Sequence, residues 1–406
     1  MPSNSLPQLL TNVRRADGER VDVLISGDVI EAIEPCGTIA VEGAERHEGS
    51  GGLLLPGLVE THSHIDKTYS HEVYLDHGTS GRGALSDAIA AMGRYKEERS
   101  LDDMVQRARK AALRAAERGV CYLRSHIDLG SDKDLDVVRA LIDLKREVSD
   151  QIALEFTALT STATPGDRQR IREALQLGVL AIGGAPALEA NPQGNIDHCL
   201  ELAMELGCPV DLHVDENESP DSPCLEHLAR RCLEQNVQVP VSAGHCCALG
   251  FMPEEQRKRQ IGDAVDAGIA FITLPACNLV LMGREHWPRP RGIPPIAEML
   301  DAGAGVCVGV DNVQDPFQPW GDYDPLQQAA LLGHLAQWDG GASDTLVAMC
   351  TSAAAEAMGL QNYGLAAGCR ADLTVLATNS EHGALCETPA RTHRFFGGRR
   401  LGGVAS

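Results

Sequence analysis

Hydrophobic residues along the middle of the chain follow two alternating patterns. Short apolar runs bounded by glycine and polar residues are typical of buried parallel strands. We predict eight of them, at 57–62, 120–126, 152–160, 179–183, 209–214, 239–244, 269–274 and 305–310. Apolar residues at three- and four-residue spacing predict the intervening helices, such as 101–118, 133–148, 195–206, 223–235 and 254–267. This alternation predicts an α/β fold, a TIM-like (β/α)8 barrel.

The two ends of the chain have a different pattern of short, strand-like pieces punctuated by glycines. One such piece is 21–25 near the N-terminus, and another is 371–376 near the C-terminus. We expect both ends to pair in one small β-sandwich domain, built from residues 1–56 and 365–406. The catalytic barrel is then expected to occupy residues 57–364.

Composition narrows the possible partners and the cellular compartment. A chain of 406 residues has room for a barrel of ~250 residues and a smaller unit. The net charge of −22 argues against nucleic acid and anionic membranes as partners. No apolar run of ~18 residues predicts a transmembrane helix, and the start, 1–5, has no secretory pattern. The thirteen cysteines lack CxxC pairs, so we expect a cytoplasmic protein with reduced, mostly buried thiols.

Candidate chemistry lies at the C-terminal ends of the predicted strands, where barrel enzymes place functional residues. His62 and His64 end the first strand on the same side, because side chains alternate faces with a period of two. Two imidazoles in this position make half of a metal site. A lone histidine at a strand end is more often structural, but the repetition of this pattern favours a metal site. The later strand ends carry His126, His213, His245 and Asp311.

Three imidazoles and one carboxylate suit Zn²⁺ or Fe²⁺. A catalytic site of this kind keeps one position for water, whose pKa the metal can lower to ~7. Glu216 lies three residues after His213, so it leaves the strand and can protonate a ring nitrogen or the leaving group. Asp311 can take the proton of the water while it contacts the metal, and His245 can orient the hydroxide.

Five segments of the chain match a known family: PGLVETHSHID, LHVDE, GHCCAL, GVDNVQDPFQPWG and NYGLAAGCRADLTVL. Through them the chain resembles the amidohydrolase superfamily, and its cytosine deaminase branch in particular. That branch includes the N-isopropylammelide amidohydrolases of triazine breakdown, and the resemblance covers nearly the whole chain. It implies one metal ion, Glu216 as the acid/base and His245 as the residue that orients water. The implied metal ligands are His62, His64, His213 and Asp311.

Two positions depart from the cytosine deaminase pattern. That branch carries a glutamine at the end of strand three, where this chain has Ser161, and a second aspartate after the metal aspartate, where it has Asn312. A glutamine amide offers a donor and an acceptor in one plane, whereas serine offers one shorter group. Sites that read polar groups discriminate strongly when those groups change. We therefore expect a substrate other than cytosine itself, such as a cytosine-like pyrimidine, a triazine or a related amino-heterocycle, with Ser161 and Asn312 in contact with it.

Several other residues are weaker candidates for substrate contact. His126 either supports the metal ligands or contacts substrate. Arg291 lies on a proline-rich loop, where it either binds a carboxylate or carbonyl group or is simply exposed. Phe317 packs either on a planar ring or in the core. Asp66 and Lys67 either contact substrate or close a loop through salt bridges.

Together these features predict a metal-dependent hydrolase that releases ammonia from a small planar N-heterocycle. A second hypothesis is an amidohydrolase that removes an alkylamine or opens a cyclic amide. A non-catalytic protein on the same fold is a third, and it is disfavoured because such relatives usually lose metal ligands. The expected partner is a small-molecule substrate, and the resemblance alone implies a homo-oligomer.

Overall fold

The structure, a computed structural model, describes residues 6–72, 85–131, 133–162 and 166–402. These residues form sixteen strands: β1 (Gln8–Arg14), β2 (Arg20–Ser26), β3 (Val29–Pro35), β4 (Glu45–Glu48), β5 (Leu53–Pro56), β6 (Leu58–Ser63), β7 (Val120–Asp128), β8 (Ala153–Thr160), β9 (Ala181–Gly184), β10 (Val210–Val214), β11 (Val241–His245), β12 (Ala270–Thr273), β13 (Val306–Val308), β14 (Leu373–Leu376), β15 (Arg391–Phe396) and β16 (Arg399–Arg400).

Helices alternate with the central strands. Within the described ranges they are α1 (Leu85–Glu98), α2 (Leu101–Glu117), α3 (Asp134–Glu147), α4 (Asp167–Leu177), α5 (Pro192–Leu206), α6 (Cys224–Gln235), α7 (Glu254–Asp266), α8 (Pro275–Leu281), α9 (Ile296–Asp301), α10 (Pro325–Ala336), α11 (Ser343–Ala348), α12 (Ser352–Ala357) and α13 (Glu381–Cys386). Among them, none combines the length and the apolar character that a membrane crossing requires.

Helix α2 shows why the predicted periodicity produces these elements. Its buried residues, Met104, Ala108, Ala111 and Ala115, recur at three- and four-residue intervals and face the barrel. Acidic side chains occupy its first turn and a basic one its last turn, which complements the helix dipole. The pattern therefore fixes both the helix and the face that it buries.

Strands β6 to β13 form one parallel sheet in chain order, which confirms the predicted TIM-like barrel. The first and last strands meet at a parallel bridge between Ser63 and Asp311. The buried Glu60 carboxylate spans the same junction, since it accepts the backbone amide of His62 at 2.9 Å and that of Val310 at 3.1 Å. The closure of the barrel thus places the C-terminal end of β6 beside the residues that follow β13.

Both chain ends contribute to a second, mixed sheet, as the sequence predicts. Its order is β16-β15-β14-β5-β1-β2-β3, and β4 pairs with β1. An antiparallel bridge between Val29 and Arg370 brings the far side of the sheet back toward β14, so the sheet curls around its own core. That core includes Leu10, Val23, Ile30, Leu54, Leu373 and Phe395. The domain limits at 56/57 and 364/365 stay a prediction.

All thirteen cysteines are free, and ten of them are buried. Cys246 and Cys247, adjacent in the chain, are both buried, and burial raises the pKa of each thiol well above its ordinary value. These thiols therefore pack as small apolar side chains.

Candidate functional site

The candidate metal ligands meet in one buried cluster at the C-terminal end of the barrel. His62 Nε2 lies 3.2 Å from His213 Nε2, and His64 Nε2 lies 3.1 Å from the same atom. Asp311 Oδ1 lies 3.3 Å from His64 Nε2 and 3.9 Å from His62 Nε2. Strand β6 and its following turn, β10, and the turn after β13 thus bring four side chains to one point.

The chemistry of this cluster fits a divalent cation. Histidine nitrogens about 2.0–2.1 Å from a shared ion lie roughly 3.0–3.4 Å apart, which matches the spacing observed here. Both Asp311 carboxylate oxygens are buried without a hydrogen-bond partner, a costly arrangement unless a cation faces them. Burial lowers the pKa of His62 to about 3 and holds that of His213 well below its ordinary value. Both imidazoles are therefore neutral, the form in which histidine binds metals.

Behind the cluster, a buried carboxylate supports the first histidine. Asp211 Oδ1 lies 3.6 Å from His62 Nδ1, and its Oδ2 lies 3.4 Å from His126 Nε2. Burial alone would raise the pKa of Asp211, but His126 and His62 together hold it below its usual range. A carboxylate in this position fixes the orientation of the ligand ring. Asp211 was missed by the sequence analysis, although it lies two residues before His213 and so shares its face of the strand.

His126 lies beneath the cluster of candidate metal ligands, away from the cavity above them. Its side chain is completely buried, and its ring centre is 4.2 Å from that of His62. Gly183 on the neighbouring strand makes room for it, since a Cβ there would lie 3.3 Å from His126 Nδ1 and 2.6 Å from the Asp211 carbonyl oxygen. Of the two predicted roles, this placement favours support of the ligands over contact with substrate.

Two site residues turn out of their strands in the left-handed conformation. His245 has φ +66° and Asp311 has φ +60°. Non-glycine residues adopt this region at a cost of about 1–3 kcal/mol, and such strain is concentrated at functional sites. In both cases the turn directs the side chain toward the cluster: His245 Nε2 lies 3.9 Å from Asp311 Oδ2.

Asn278 on α8 sets the tautomer of His245. The Asn278 Oδ1 atom is 2.9 Å from His245 Nδ1, so this nitrogen carries the proton and donates it. The opposite nitrogen, Nε2, then carries a lone pair and faces Asp311 and the other histidines. His245 is thereby held as an acceptor aimed at the cluster. The sequence analysis assigned no role to Asn278.

Glu216 lies above the cluster, beside His245. Its side chain is 11% exposed, and its Oε1 atom lies 3.7 Å from His245 Nδ1. Burial raises the pKa of Glu216 to about 8. Burial also raises the pKa of Asp311, to about 6, with His245 acting against the shift and Glu216 adding to it. The Glu216 carboxyl group therefore keeps its proton to a higher pH than that of Asp311.

A cavity of about 280 Å³ opens over these groups. On one side it is lined by His64, His213, Glu216, His245 and Asp311, and on the other by one face of α1. That face consists of Leu85, Ile89, Met92, Gly93 and Lys96, spaced as a helical stripe. The volume and the largely apolar roof suit a small flat ligand.

The predicted substrate contacts fall in three different places. Asn312 and Phe317 line the cavity over the cluster. Ser161 lines an adjoining cavity instead, because β8 ends at Thr160, whose hydroxyl donates to the Gly183 carbonyl oxygen. Arg291 lines a separate pocket next to Phe251 and α9. The fold therefore brings Asn312 and Phe317 to the cluster of candidate metal ligands and leaves Ser161 and Arg291 away from it.

An ion-pair group on the cavity wall joins Lys67, which the sequence analysis singled out, to Asp128 and Lys96, which it did not. Lys67 Nζ lies 2.8 Å from Asp128 Oδ1, and Lys96 Nζ pairs with Asp128 Oδ2. Lys67 also contacts His64 Nδ1 at 3.1 Å, so it both makes salt bridges and lines the cavity. Asp128 had a usable signal, since it follows His126 by two residues on the same strand. Lys96 had none, because only the docking of α1 brings it to this wall.

Comparison with known proteins finds a matching family and several similar proteins. A family model described as the amidohydrolase family matches residues 83–383. A pterin deaminase of Rhizobium rhizogenes is 29% identical over 372 residues, which cover 88% of this chain and 82% of that protein. An N-isopropylammelide isopropyl amidohydrolase of a Pseudomonas species is 26% identical over 380 residues, which cover 91% of this chain and 90% of that protein.

The solved structures give the same picture of the fold. A 5-methylcytosine deaminase from Klebsiella pneumoniae, liganded with phosphonocytosine, superposes with a TM-score of 0.92 at 26% identity. The match covers 98% of this chain and 99% of that one. The likeness therefore extends over both the barrel and the sheet built from the chain ends.

Proposed function

This chain belongs to the amidohydrolase family, and from that membership we propose that it is a metal-dependent hydrolytic deaminase of a small planar N-heterocycle. It is a hydrolase of C–N bonds, as are relatives that act on a pterin, an ammelide and a methylcytosine. The observation that carries the proposal is the position of Glu216. Its carboxyl group, whose pKa burial raises to about 8, lies in the same small cavity as His245 and the candidate metal ligands His64, His213 and Asp311.

The proposed metal ligands are His62, His64, His213 and Asp311, and the proposed ion is a single Zn²⁺ or Fe²⁺. Both metals accept the nitrogen and oxygen donors that these residues offer. When bound, such an ion acts as a Lewis acid and makes water a stronger nucleophile at neutral pH. Asp211 keeps the His62 ring in position for this role.

The chain's own acid–base groups account for the proton transfers. Asp311 has the lower pKa of the two carboxyl groups and accepts the proton of the attacking water, while the His245 Nε2 lone pair orients that water. Glu216 donates its proton to the ring nitrogen next to the carbon under attack, or to the amine that leaves. The proton held by Asp311 goes to whichever of these two nitrogens Glu216 has not protonated, and the exocyclic amine departs as ammonia. The water oxygen stays on the ring carbon as a carbonyl oxygen, and its remaining proton returns to Glu216.

The remaining walls hold the ring in place. Phe317 and the apolar side chains of Ile89 and Met92 line the cavity with flat or flexible apolar surface. Asn312, whose amide also donates to Asp315, offers a polar contact beside Asp311. A mostly apolar site of this kind limits the access of bulk water to the reacting carbon.

The test is the release of ammonia by purified protein loaded with zinc or with iron. The panel contains cytosine, 5-methylcytosine, isocytosine, isoguanine, pterin, ammelide, N-alkylammelides and creatinine, with mass detection of every product. Ammonia from any of them supports the proposal. An alkylamine supports the second hypothesis, which the ammelide relative favours. A ring-opened acid would indicate a cyclic amidase instead.

The setting of the enzyme is also a proposal. The free and mostly buried cysteines support the predicted cytoplasmic location, where thiols stay reduced. The proposed enzyme is also a homo-oligomer, as the resemblance implies, and its partner is a small-molecule substrate. Sedimentation of the purified protein measures the oligomeric state directly.

A further inference from the structure

We propose that Asp128 and Lys96 form a specificity-determining pair that reads an amide edge of the substrate ring, that is, a ring N–H next to a ring carbonyl. The inference rests on the proposed function, because it names what the same cavity recognises. In this arrangement the Asp128 carboxylate accepts the ring N–H, and the Lys96 ammonium donates to the ring carbonyl oxygen.

Elimination among the polar residues of the cavity points to this pair. His64, His213, Glu216, His245 and Asp311 are committed to the metal or to proton transfer in the proposed function. Asn312 donates to Asp315 and keeps the polar contact beside Asp311 that the proposed function gives it. Lys67, Lys96 and Asp128 are then the polar side chains of the described cavity wall that the proposed reaction does not use.

Lys67 holds the pair in place but has little freedom of its own. Its side chain is only 5% exposed, and its ammonium group contacts Asp128 Oδ1, His64 Nδ1 and Asp66 Oδ1, the last at 3.5 Å. It donates to Asp128 Oδ1 at 2.8 Å, whereas the 3.5 Å contact with Asp66 is an ion pair rather than a hydrogen bond. Lys67 therefore positions the Asp128 carboxylate, and its near-complete burial leaves it little access to a ligand.

Asp128 and Lys96 keep the capacity that Lys67 lacks. Their side chains are 25% and 24% exposed, and both line the cavity over the metal cluster. A carboxylate offers about four lone-pair sites, and an ammonium group three donors. Two carboxylate sites are occupied by the lysines, and Lys96 donates once, to Asp128. The pair can therefore add one acceptor and one donor, side by side, to a ligand.

The pair also lies where two cavities meet. Lys96 and Asp128 line a second cavity, of about 1140 Å³, together with Leu159, Ala185 and Leu188, which are common to both. The edge of the ring that faces the pair is thus not enclosed by a wall. Recognition there has to come from hydrogen bonds rather than from shape, which is the kind of contact that discriminates strongly between ligands with and without the matching group.

The test compares heterocycles with and without the ring carbonyl. Cytosine is paired with 4-aminopyrimidine, and pterin with 2-aminopteridine. The variants are Lys96→Met, which removes the donor, Lys96→Arg, which keeps it, and Asp128→Asn. Lys133→Met is the matched control, because Lys133 lines only the second cavity. For each protein we would measure kcat, KM, metal content and the equilibrium binding of each compound by calorimetry.

The expected result is a preference of wild-type protein for the carbonyl compound of ~10²-fold or more in kcat/KM. In Lys96→Met this preference is lost, KM for the carbonyl compound rises at least tenfold and kcat changes less. Lys96→Arg retains part of the preference, Asp128→Asn weakens binding of the carbonyl compound, and Lys133→Met behaves as wild type. Metal content stays constant throughout.

If the wild-type protein is active, and if both Lys96→Met and Asp128→Asn keep its KM and its carbonyl preference, the inference is overturned and the proposed function stays intact. Wild-type protein that turns over nothing in the panel would count against the proposed function. In that case calorimetry still decides the inference: equal affinity for the two members of each pair overturns it, and a carbonyl preference that Lys96→Met abolishes supports it.

Discussion

The Asp311 backbone amide donates a hydrogen bond of 2.9 Å to the carbonyl oxygen of His62. This contact joins the first barrel strand to the residues after the last one at two candidate metal ligands. The geometry of the proposed metal site is therefore a direct consequence of barrel closure. Anything that loosens this junction should affect stability and metal binding together.

Glu60 offers a way to test that coupling. Glu60→Ala leaves the buried amides of His62 and Val310 without their acceptor, and we expect it to lower the free energy of unfolding by about 2–4 kcal/mol. Glu60→Gln keeps Oε1, the atom that accepts both amides, and should be destabilised much less. Urea unfolding of the metal-free proteins measures this, and metal titration should show weaker binding only in Glu60→Ala. Equal stability of the two variants would contradict the role of the carboxylate at the junction.

His213→Ala tests the ligand assignment. His213 Nε2 is the atom shared by the contacts to His62 and His64, so its removal should abolish stable metal binding. We expect metal content by mass spectrometry to fall from about one ion per chain to near zero. His334→Ala, at an exposed position on α10, is the control and should retain the ion. Full occupancy in His213→Ala would remove this residue from the ligand set.

The barrel could be predicted from the sequence because the hydrophobic patterns of its strands and helices are local. The strand predicted at 120–126 is β7, Val120–Asp128, and the helix predicted at 101–118 is α2, Leu101–Glu117. Apolar runs and helical spacing depend on neighbouring residues alone, so they predict elements without knowledge of packing. The candidate ligands followed from the same signals, since parallel strands bring their C-terminal ends to one side of a barrel.

The rest of the site depends on packing that no local pattern records. Helix α1 was not predicted, although its apolar stripe roofs the cavity and its Lys96 reaches Asp128. The resemblance placed Ser161 beside the substrate, and Arg291 was predicted either to bind it or to be exposed. The structure places both on other cavities, because the direction in which each loop leaves its strand decides which cavity it lines. His126 could not be assigned to either side of His62 before the neighbouring strands were in place.

Asn278 is predicted to act through His245. Asn278→Ala removes the acceptor that holds the Nδ1 proton, so the Nε2 lone pair is no longer fixed toward the cluster. We expect kcat to fall by about 10–100-fold with metal content unchanged, as for other residues that support an active-site histidine. Asn278→Asp keeps an acceptor oxygen and should retain more activity. A loss of metal in Asn278→Ala would indicate a structural role instead.

Glu216→Gln separates proton transfer from metal binding. The amide keeps the size of the side chain but cannot donate an acidic proton, so turnover should fall by ~10²-fold or more while the metal stays bound. Steady-state ammonia release and metal analysis measure the two effects on the same sample. Glu226→Gln, on the exposed face of α6, is the control and should be fully active. Unchanged turnover in Glu216→Gln would exclude Glu216 as the proton donor.

The pH dependence of the reaction should reflect the titration of Glu216. Burial raises the pKa of Glu216 to about 8, so the carboxyl group is protonated, and able to donate, below that pH. As the pH rises through about 8 the proton is lost, and kcat/KM should fall about tenfold per pH unit on the alkaline side. The residual activity of Glu216→Gln should lack this alkaline limb, because glutamine does not titrate. If the alkaline limb persists unchanged in Glu216→Gln, the limb belongs to another group. If the limb disappears together with most of the turnover, Glu216 is the acid of the reaction.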